Sequence, residues 1–270
     1  MRIDLALSPF GADATTLVDL AVAADADERI GGVWIADHFS GAVVGSDWSR
    51  DPFVCLGAIA CSTRRIRLGP LVANVRNRHP AQLASAVNTL QSLAPNRIVL
   101  GMGSGAAPGS RFAVEHDAIG TDLGAAAERR DRLVAHVEMI RRLHVRGAGA
   151  GTVDPLDPRL AVTDGAPCPP IVVGASALAT VEAAMTCADG VNLRAVPGVD
   201  DLIAVVRSTM PAAFELSVLT GADVAPARAE EFDRAGVDRL VVGLEADATT
   251  ADLRAVVGGL LGDVQGIADR

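Results

Sequence analysis

Apolar residues in this chain follow two alternating rhythms. Short, nearly continuous apolar runs bounded by Gly, Pro or Asp read as buried strands, and between them lie longer segments whose apolar residues recur at helical spacing. The strand runs fall at residues 3–7, 33–36, 66–72, 97–102, 171–173, 190–193, 214–219 and 238–242. Thr15 or Thr16 is the expected cap of the first helix, whose inner face carries Leu17, Leu20, Ala21 and Ala24. Helices are expected from Pro52 to Cys61, from Pro80 onward, after a cap at Thr121 or Asp122, and over 177–187, 201–210, 225–235 and 250–261. Residues 106–121 read as a loop, and 147–170, rich in Gly and Pro, as a long connection.

Regular alternation of strand and helix implies βα units and a parallel sheet. Eight repeats in 270 residues favour a closed (β/α)8 TIM barrel, in a single domain spanning 1–270, over an open doubly wound sheet. Strand three contains Gly69-Pro70, and a proline removes a ladder hydrogen bond. A bulge is therefore expected at Pro70-Leu71-Val72.

In such a barrel the active site lies at the C-terminal ends of the strands. Those positions hold Ser8, Asp37-His38, residues 72–76, Gly103-Ser104-Gly105, Gly174-Ala175-Ser176, residues 192–194 and Glu245. Asp37-His38 ends an apolar strand, and ionisable side chains there need partners. His38 reads either as an acid/base or as a structural histidine paired with Asp37. Asp37 suits orientation better than reaction. Gly101-x-Gly103-x-Gly105 does not match the dinucleotide fingerprint; it is either a tight turn or a place where a flat ligand meets backbone. Gly174-Ala175-Ser176 precedes a helix whose free N–H groups could hold a phosphate, or Ser176 simply caps that helix. Arg76, Arg78 and His79 cluster after strand three, while His116, His136 and His144 read as loop or helix-face residues.

Composition narrows the partners. With 33 acidic against 24 basic residues the net charge is −9, which argues against a nucleic-acid partner. Every basic residue is Arg, so no lysine is available for a Schiff base. Cys55, Cys61, Cys168 and Cys187 lack metal-ligand spacing and are expected to fill core space as reduced thiols; no metal site is expected. The start of the chain has no apolar h-region and no run long enough to span a bilayer, so a cytoplasmic protein without a membrane partner is expected.

Several stretches together are similar to the luciferase-like monooxygenase superfamily. They include Trp34-Ile35-Ala36-Asp37-His38-Phe39, Arg65-Ile66-Arg67-Leu68-Gly69, His79-Pro80 and the run from Thr89 to Gly105. Pro169-Pro170-Ile171-Val172-Val173-Gly174, Ala188-Asp189-Gly190-Val191-Asn192 and residues 235–243 belong to the same set. The chain most resembles the branch that uses the deazaflavin coenzyme F420; other members use FMN. The resemblance implies a barrel with F420 across its C-terminal mouth, and hydride transfer to or from a small organic substrate. It implies His38 as acid/base beside Asp37, and a strand-three bulge at Leu71-Val72 behind the ring. Gly103, Ser104, Gly105, Gly174, Ala175, Ser176 and Arg194 would complete the cofactor contacts. It also implies a homodimer through the helices after strands two and three. Two departures stand out: Ala106 occupies a position where the family often has Glu, and the lysine that holds sugar phosphate in the glucose-6-phosphate dehydrogenases is absent. The latter speaks against glucose 6-phosphate as substrate. FMN-dependent chemistry and a cofactor-binding barrel without catalysis are the alternative readings.

Overall fold

The computed structural model describes residues 1–147 and 162–261. Much of the connection expected over 147–170 lies outside the described residues.

All strands run parallel, and each except β3, which continues directly into β4, passes to the next through helices. β1 (Arg2–Leu7), α1 (Ala14–Ala26), β2 (Ile30–Ile35), α2 (Pro52–Ser62), β3 (Arg67–Pro70), β4 (Ala73–Asn74) and α3 (Pro80–Leu93) make the first half. β5 (Leu100–Gly103), α4 (Val114–Ala118), α5 (Ala126–Gly147), β6 (Ile171–Ala175), α6 (Leu178–Cys187) and β7 (Gly190–Arg194) follow. α7 (Val199–Thr209), β8 (Glu215–Gly221), α8 (Pro226–Arg234), β9 (Arg239–Gly243) and α9 (Thr250–Leu261) complete it. In space the strands lie in the order β3-β2-β1-β9-β8-β7-β6-β5-β4.

The two ends of that order, β3 and β4, are successive pieces of one strand. The break falls at the expected bulge, where the Leu71–Val72 peptide is cis. Below the break, Leu68 donates to the Arg97 carbonyl at 2.8 Å and its own carbonyl accepts from Val99 N–H at 3.0 Å. Above it, β4 pairs with β5. The sheet thereby closes into a (β/α)8 barrel whose third strand is in two pieces.

Side chains alternate between two cores, as strand geometry requires. The larger packs the outer sheet face against the helices and includes Leu5, Leu17, Ile35, Leu56, Leu83, Val137, Val173, Ile203 and Phe232. The smaller, Trp34, Leu71, Val99, Val172 and Val241, fills the barrel interior. Beneath it, at the N-terminal ends, lies an ionic floor. Arg67 meets Glu215 at 2.6 Å, Arg239 meets Glu215 at 3.2 Å and Asp4 at 3.0 Å, and Trp34 Nε1 donates to Asp4 at 3.0 Å. Asn192 and Ser217, buried and joined at 2.9 Å, form a polar layer inside the barrel. Asn192 is therefore interior rather than at the mouth.

Helix starts follow local chemistry, with some departures from expectation. Asp51 caps α2 ahead of Pro52, and His79 with Gln82 forms a capping box ahead of Pro80 in α3. Thr15 and Thr16 fall inside α1, whose cap position is Asp13. Neither Thr121 nor Asp122 caps α5, because the chain turns once more through Gly124 before Ala126. Of the cysteines only Cys55 is fully buried. Cys61 is exposed, while Cys168 and Cys187 are half-buried; burial pushes the Cys168 thiol up to about 11.

Candidate active site

β2 delivers His38 to the C-terminal rim, and the connection after β5 meets it there. Residues 106–121, expected as loop, contain a 3₁₀ turn at Arg111–Ala113 followed by α4. From α4 the carboxylate of Glu115, buried from solvent, reaches across to the segment after β2. Its Oε1 lies 2.7 Å from His38 Nδ1, and its Oε2 accepts from the N–H groups of Phe39 and Ser40 at 3.0 and 3.1 Å. Charge-assisted bonds of this kind satisfy the buried carboxylate and tie two distant segments together. A carboxylate can only accept, so it draws the proton to Nδ1 and leaves Nε2 unprotonated in the neutral ring. Nε2 has no protein partner among the described residues and is not sealed from solvent. The ring is clamped by Phe10, with centroids 5.5 Å apart, and by Phe112 at 6.1 Å in a stacked arrangement.

Asp37 does not pair with His38. Its buried carboxylate accepts from Asn74 N–H at 3.0 Å and from Arg78 Nη2 at 3.1 Å, and its carbonyl accepts from Asn77 at 3.1 Å. Asp37 thus locks the strand-two end to the segment after β4. Arg78 also meets Asp51 at 2.6 Å, and its charge with the Val54 and Phe53 N–H bonds holds the Asp51 carboxyl below its usual value despite burial. His116 lies in the wall of the site rather than on a free helix face. Its Nε2 is 2.8 Å from Asn77 Oδ1, Phe39 packs edge-on against its ring, and burial lowers its pKa.

The remaining expected residues surround this pair. Val72 projects over the interior between Gly103 and Gly174. A Cβ on Gly103 would fall 2.4 Å from Val72 Cγ2, and one on Gly174 2.8 Å from Val72 Cγ1. Both glycines therefore make room for Val72, and together the three build the floor of the mouth. Gly105 has φ +85°, a conformation that favours glycine, and turns the chain away from β5 beside Asn74. Leu71 is buried in the interior cluster beneath. Gly174 and Ala175 end β6, and Ser176 does not cap α6; Ala177 occupies that position with no side-chain cap. The first turn of α6 is exposed, with N–H groups uncapped by any side chain. Arg194 ends β7, and its guanidinium stacks 5.0 Å from the Phe112 centroid. A separate cavity of about 820 Å³ lies beyond Phe10, towards α1 and the segment after β9, lined by Ser8, Phe10, Ser46 and Glu245 among others; of the His38 cluster only Phe10 reaches it.

Glu115, Phe112, Phe10 and Arg111 are the residues that sequence reasoning missed. The one cue was the apolar triplet Phe112-Ala113-Val114 inside a polar stretch. Phe10, Phe39 and Phe112, half of the chain's 6 phenylalanines, gather at this mouth.

A closed parallel barrel with a histidine–carboxylate pair clamped at its C-terminal rim defines an enzyme-type (β/α)8 barrel. Its family follows from comparison: the luciferase-like monooxygenase model matches residues 2–243, and the chain belongs to that family. One relative is an F420-dependent glucose-6-phosphate dehydrogenase of Kineococcus radiotolerans, 34% identical over 128 residues, covering 47% of this chain and 36% of that protein. Another is an F420-dependent hydroxymycolic acid dehydrogenase of Mycobacterium tuberculosis, 30% identical over 112 residues, covering 41% and 29%. The matched stretches thus cover about a third of the length of these relatives. Among solved structures, an F420-dependent secondary alcohol dehydrogenase bound to an F420–acetone adduct superposes with TM-score 0.71 at 14% identity, covering 96% of this chain and 98% of that one. The monooxygenase RslO1 of Streptomyces bottropensis superposes at 0.67 with 21% identity, covering 97% and 99%. These likenesses establish the barrel fold. Among the described residues no helix is long and apolar enough to cross a membrane.

Proposed function

We propose that this protein is an F420-dependent oxidoreductase in which His38 manages the proton that accompanies hydride transfer to or from a small organic substrate. The observation that carries the reading is the His38–Glu115 pair, 2.7 Å apart and clamped between two phenylalanines at the barrel mouth. Relatives named as F420-dependent support the choice of cofactor.

The residues present fit a deazaflavin. The uncapped first turn of α6 after Gly174-Ala175-Ser176 is a site for a phosphate. Leu71, Val72, Gly103, Ser104 and Gly105 would hold the ring against the floor, with Asp37 fixing the adjoining segment. Bound there, F420 would supply a two-electron hydride donor or acceptor. His38 Nε2 would take the proton from an alcohol as it is oxidised, or return it in reduction, while Glu115 keeps the ring oriented. Phe10 and Phe112 exclude water from the ring faces. The substrate would lie at the barrel mouth within reach of His38 Nε2.

Titrating purified protein into F420 and, separately, into FMN while following cofactor fluorescence tests this reading. Saturable quenching with F420 at micromolar protein, and none with FMN, is the expected result. Binding of FMN alone, or of neither, overturns it.

A further inference from the structure

Resting on that reading, we infer that the substrate carries an oxyanion, a carboxylate or phosphate, held by Arg111 and Arg194, which both pack on the Phe112 ring that stacks with His38.

Three observations converge. First, the fold brings together two guanidiniums from distant segments: Arg111 opens the 3₁₀ turn after β5, and Arg194 is the last residue of β7. Their guanidinium carbons lie 4.7 and 5.0 Å from the centroid of the same Phe112 ring. Second, neither has an ion pair or hydrogen bond among the described residues. Both side chains are exposed at the mouth and free to meet a ligand, whereas Arg67, Arg78, Arg141, Arg207, Arg228 and Arg239 are already held by carboxylates. Third, the two cations repel each other. Partial desolvation first, and then the Arg111 charge, lower the Arg194 pKa although its side chain reaches solvent, so an anion bound by both would relieve that repulsion.

The position gives the pair its meaning. Phe112 stacks on His38 with centroids 6.1 Å apart, so an oxyanion held by guanidiniums packed on Phe112 lies in the same mouth as the acid/base ring. A guanidinium offers paired N–H donors matched to a carboxylate or phosphate edge, and two can hold one anion from both sides. The carbon that exchanges hydride would then lie a few bonds from the anionic group, as in a hydroxy acid or a short phosphorylated alcohol. Arg194 would serve the substrate rather than the cofactor's tail.

The competing assignment, to the cofactor phosphate, is separated by measuring two bindings on each protein. Inorganic phosphate and, in parallel, lactate are titrated into cofactor-free protein and followed by calorimetry. F420 binding is followed by fluorescence. Wild type is expected to bind at least one of the two anions saturably in the millimolar range. Arg111→Met with Arg194→Met should weaken that binding at least tenfold while F420 affinity changes less than twofold and the circular dichroism is unchanged. The single variant Arg111→Met, on an exposed turn, provides the same readout if the double variant folds poorly. Phosphate binding alone points to a phosphorylated substrate, and lactate binding alone to a carboxylate; either supports the proposal. No binding of either anion, binding unaffected by the variants, or a tenfold loss of F420 affinity each overturns it. Failure of F420 to bind wild type would instead sink the cofactor reading and leave the anion result standing by itself.

Discussion

Glu115 and His38, separated by 77 positions in sequence, are joined by a 2.7 Å contact between Oε1 and Nδ1. The pair makes Glu115 a positioning residue: it selects the tautomer of a ring it does not share with substrate. Glu115→Gln keeps the size but can present an amide donor to Nδ1, which would move the ring proton to Nε2 and remove the base. Turnover is expected to fall on the order of 100-fold with little change in KM. The pH profile of kcat should lose its histidine limb, which a purely structural role would leave in place. An unaltered profile would refute the pairing as functional.

Replacing His38 itself separates chemistry from binding. His38→Ala removes the acid/base nitrogen but touches neither Val72 nor the α6 terminus. F420 affinity is expected to hold within about threefold while turnover drops by about 100-fold or more. Measuring both on one preparation decides the matter; intact turnover would make His38 a structural residue.

Gly103 is required by Val72 rather than by flexibility. Its φ is ordinary, and the obstacle is a Cβ 2.4 Å from Val72 Cγ2. Gly103→Ala should cost about 1–3 kcal/mol by overpacking, read from denaturant unfolding. Adding Val72→Ala should recover most of that loss, because the clashing methyl is gone. If the double variant is as unstable as the sum of the singles, the clash is not the cause.

Most of the barrel was legible in the sequence, while the wall of its site was not. Strand segments such as Leu240-Val241-Val242 are buried on both faces, so they stand out as unbroken apolar runs. Proline and glycine in strand three marked the break that the structure places at Leu71–Val72. The position of His38 followed from the same rhythm. Its partner did not, because α4 spans only Val114–Ala118, too short to show periodicity or to be stable alone. What holds α4 is tertiary: Glu115 bonded to residues 38–40, and His116 to Asn77. Such contacts leave no local signature. The Asp37-His38 adjacency misled in the same way, since neighbours at a strand end point to opposite sides, and Asp37 went to Arg78.

The barrel floor tests how much a buried ionic network contributes. Asp4 is fully buried and bonded to Arg239 at 3.0 Å and to Trp34 at 3.0 Å. Asp4→Ala would leave a guanidinium and an indole N–H without their acceptor inside the barrel. A loss of about 3–5 kcal/mol is expected in denaturant unfolding, with the His38–Glu115 mouth and the proposed cofactor site unaltered at low temperature. A loss under about 1 kcal/mol would mean that water replaces the carboxylate there.

Acid sensitivity should come from buried histidines, His116 foremost. Burial is the largest cause of its lowered pKa, the neighbouring charges of His38 and Arg76 lower it further, and Glu115 only partly offsets them. His136 is lowered by burial in the same sense. In the unfolded chain each titrates near about 6.5. Below that pH the unfolded state takes up protons that the folded state resists, so stability rises with pH in this range. The contribution is fully present above the unfolded value and is lost as the pH falls towards the lowered folded values. Chemical unfolding measured from pH 7.5 to 5.0 should therefore show a declining midpoint below about pH 6.5. His116→Gln retains a donor for Asn77 but cannot protonate, and it should flatten part of that decline. An unchanged slope in the variant would place the acid sensitivity elsewhere.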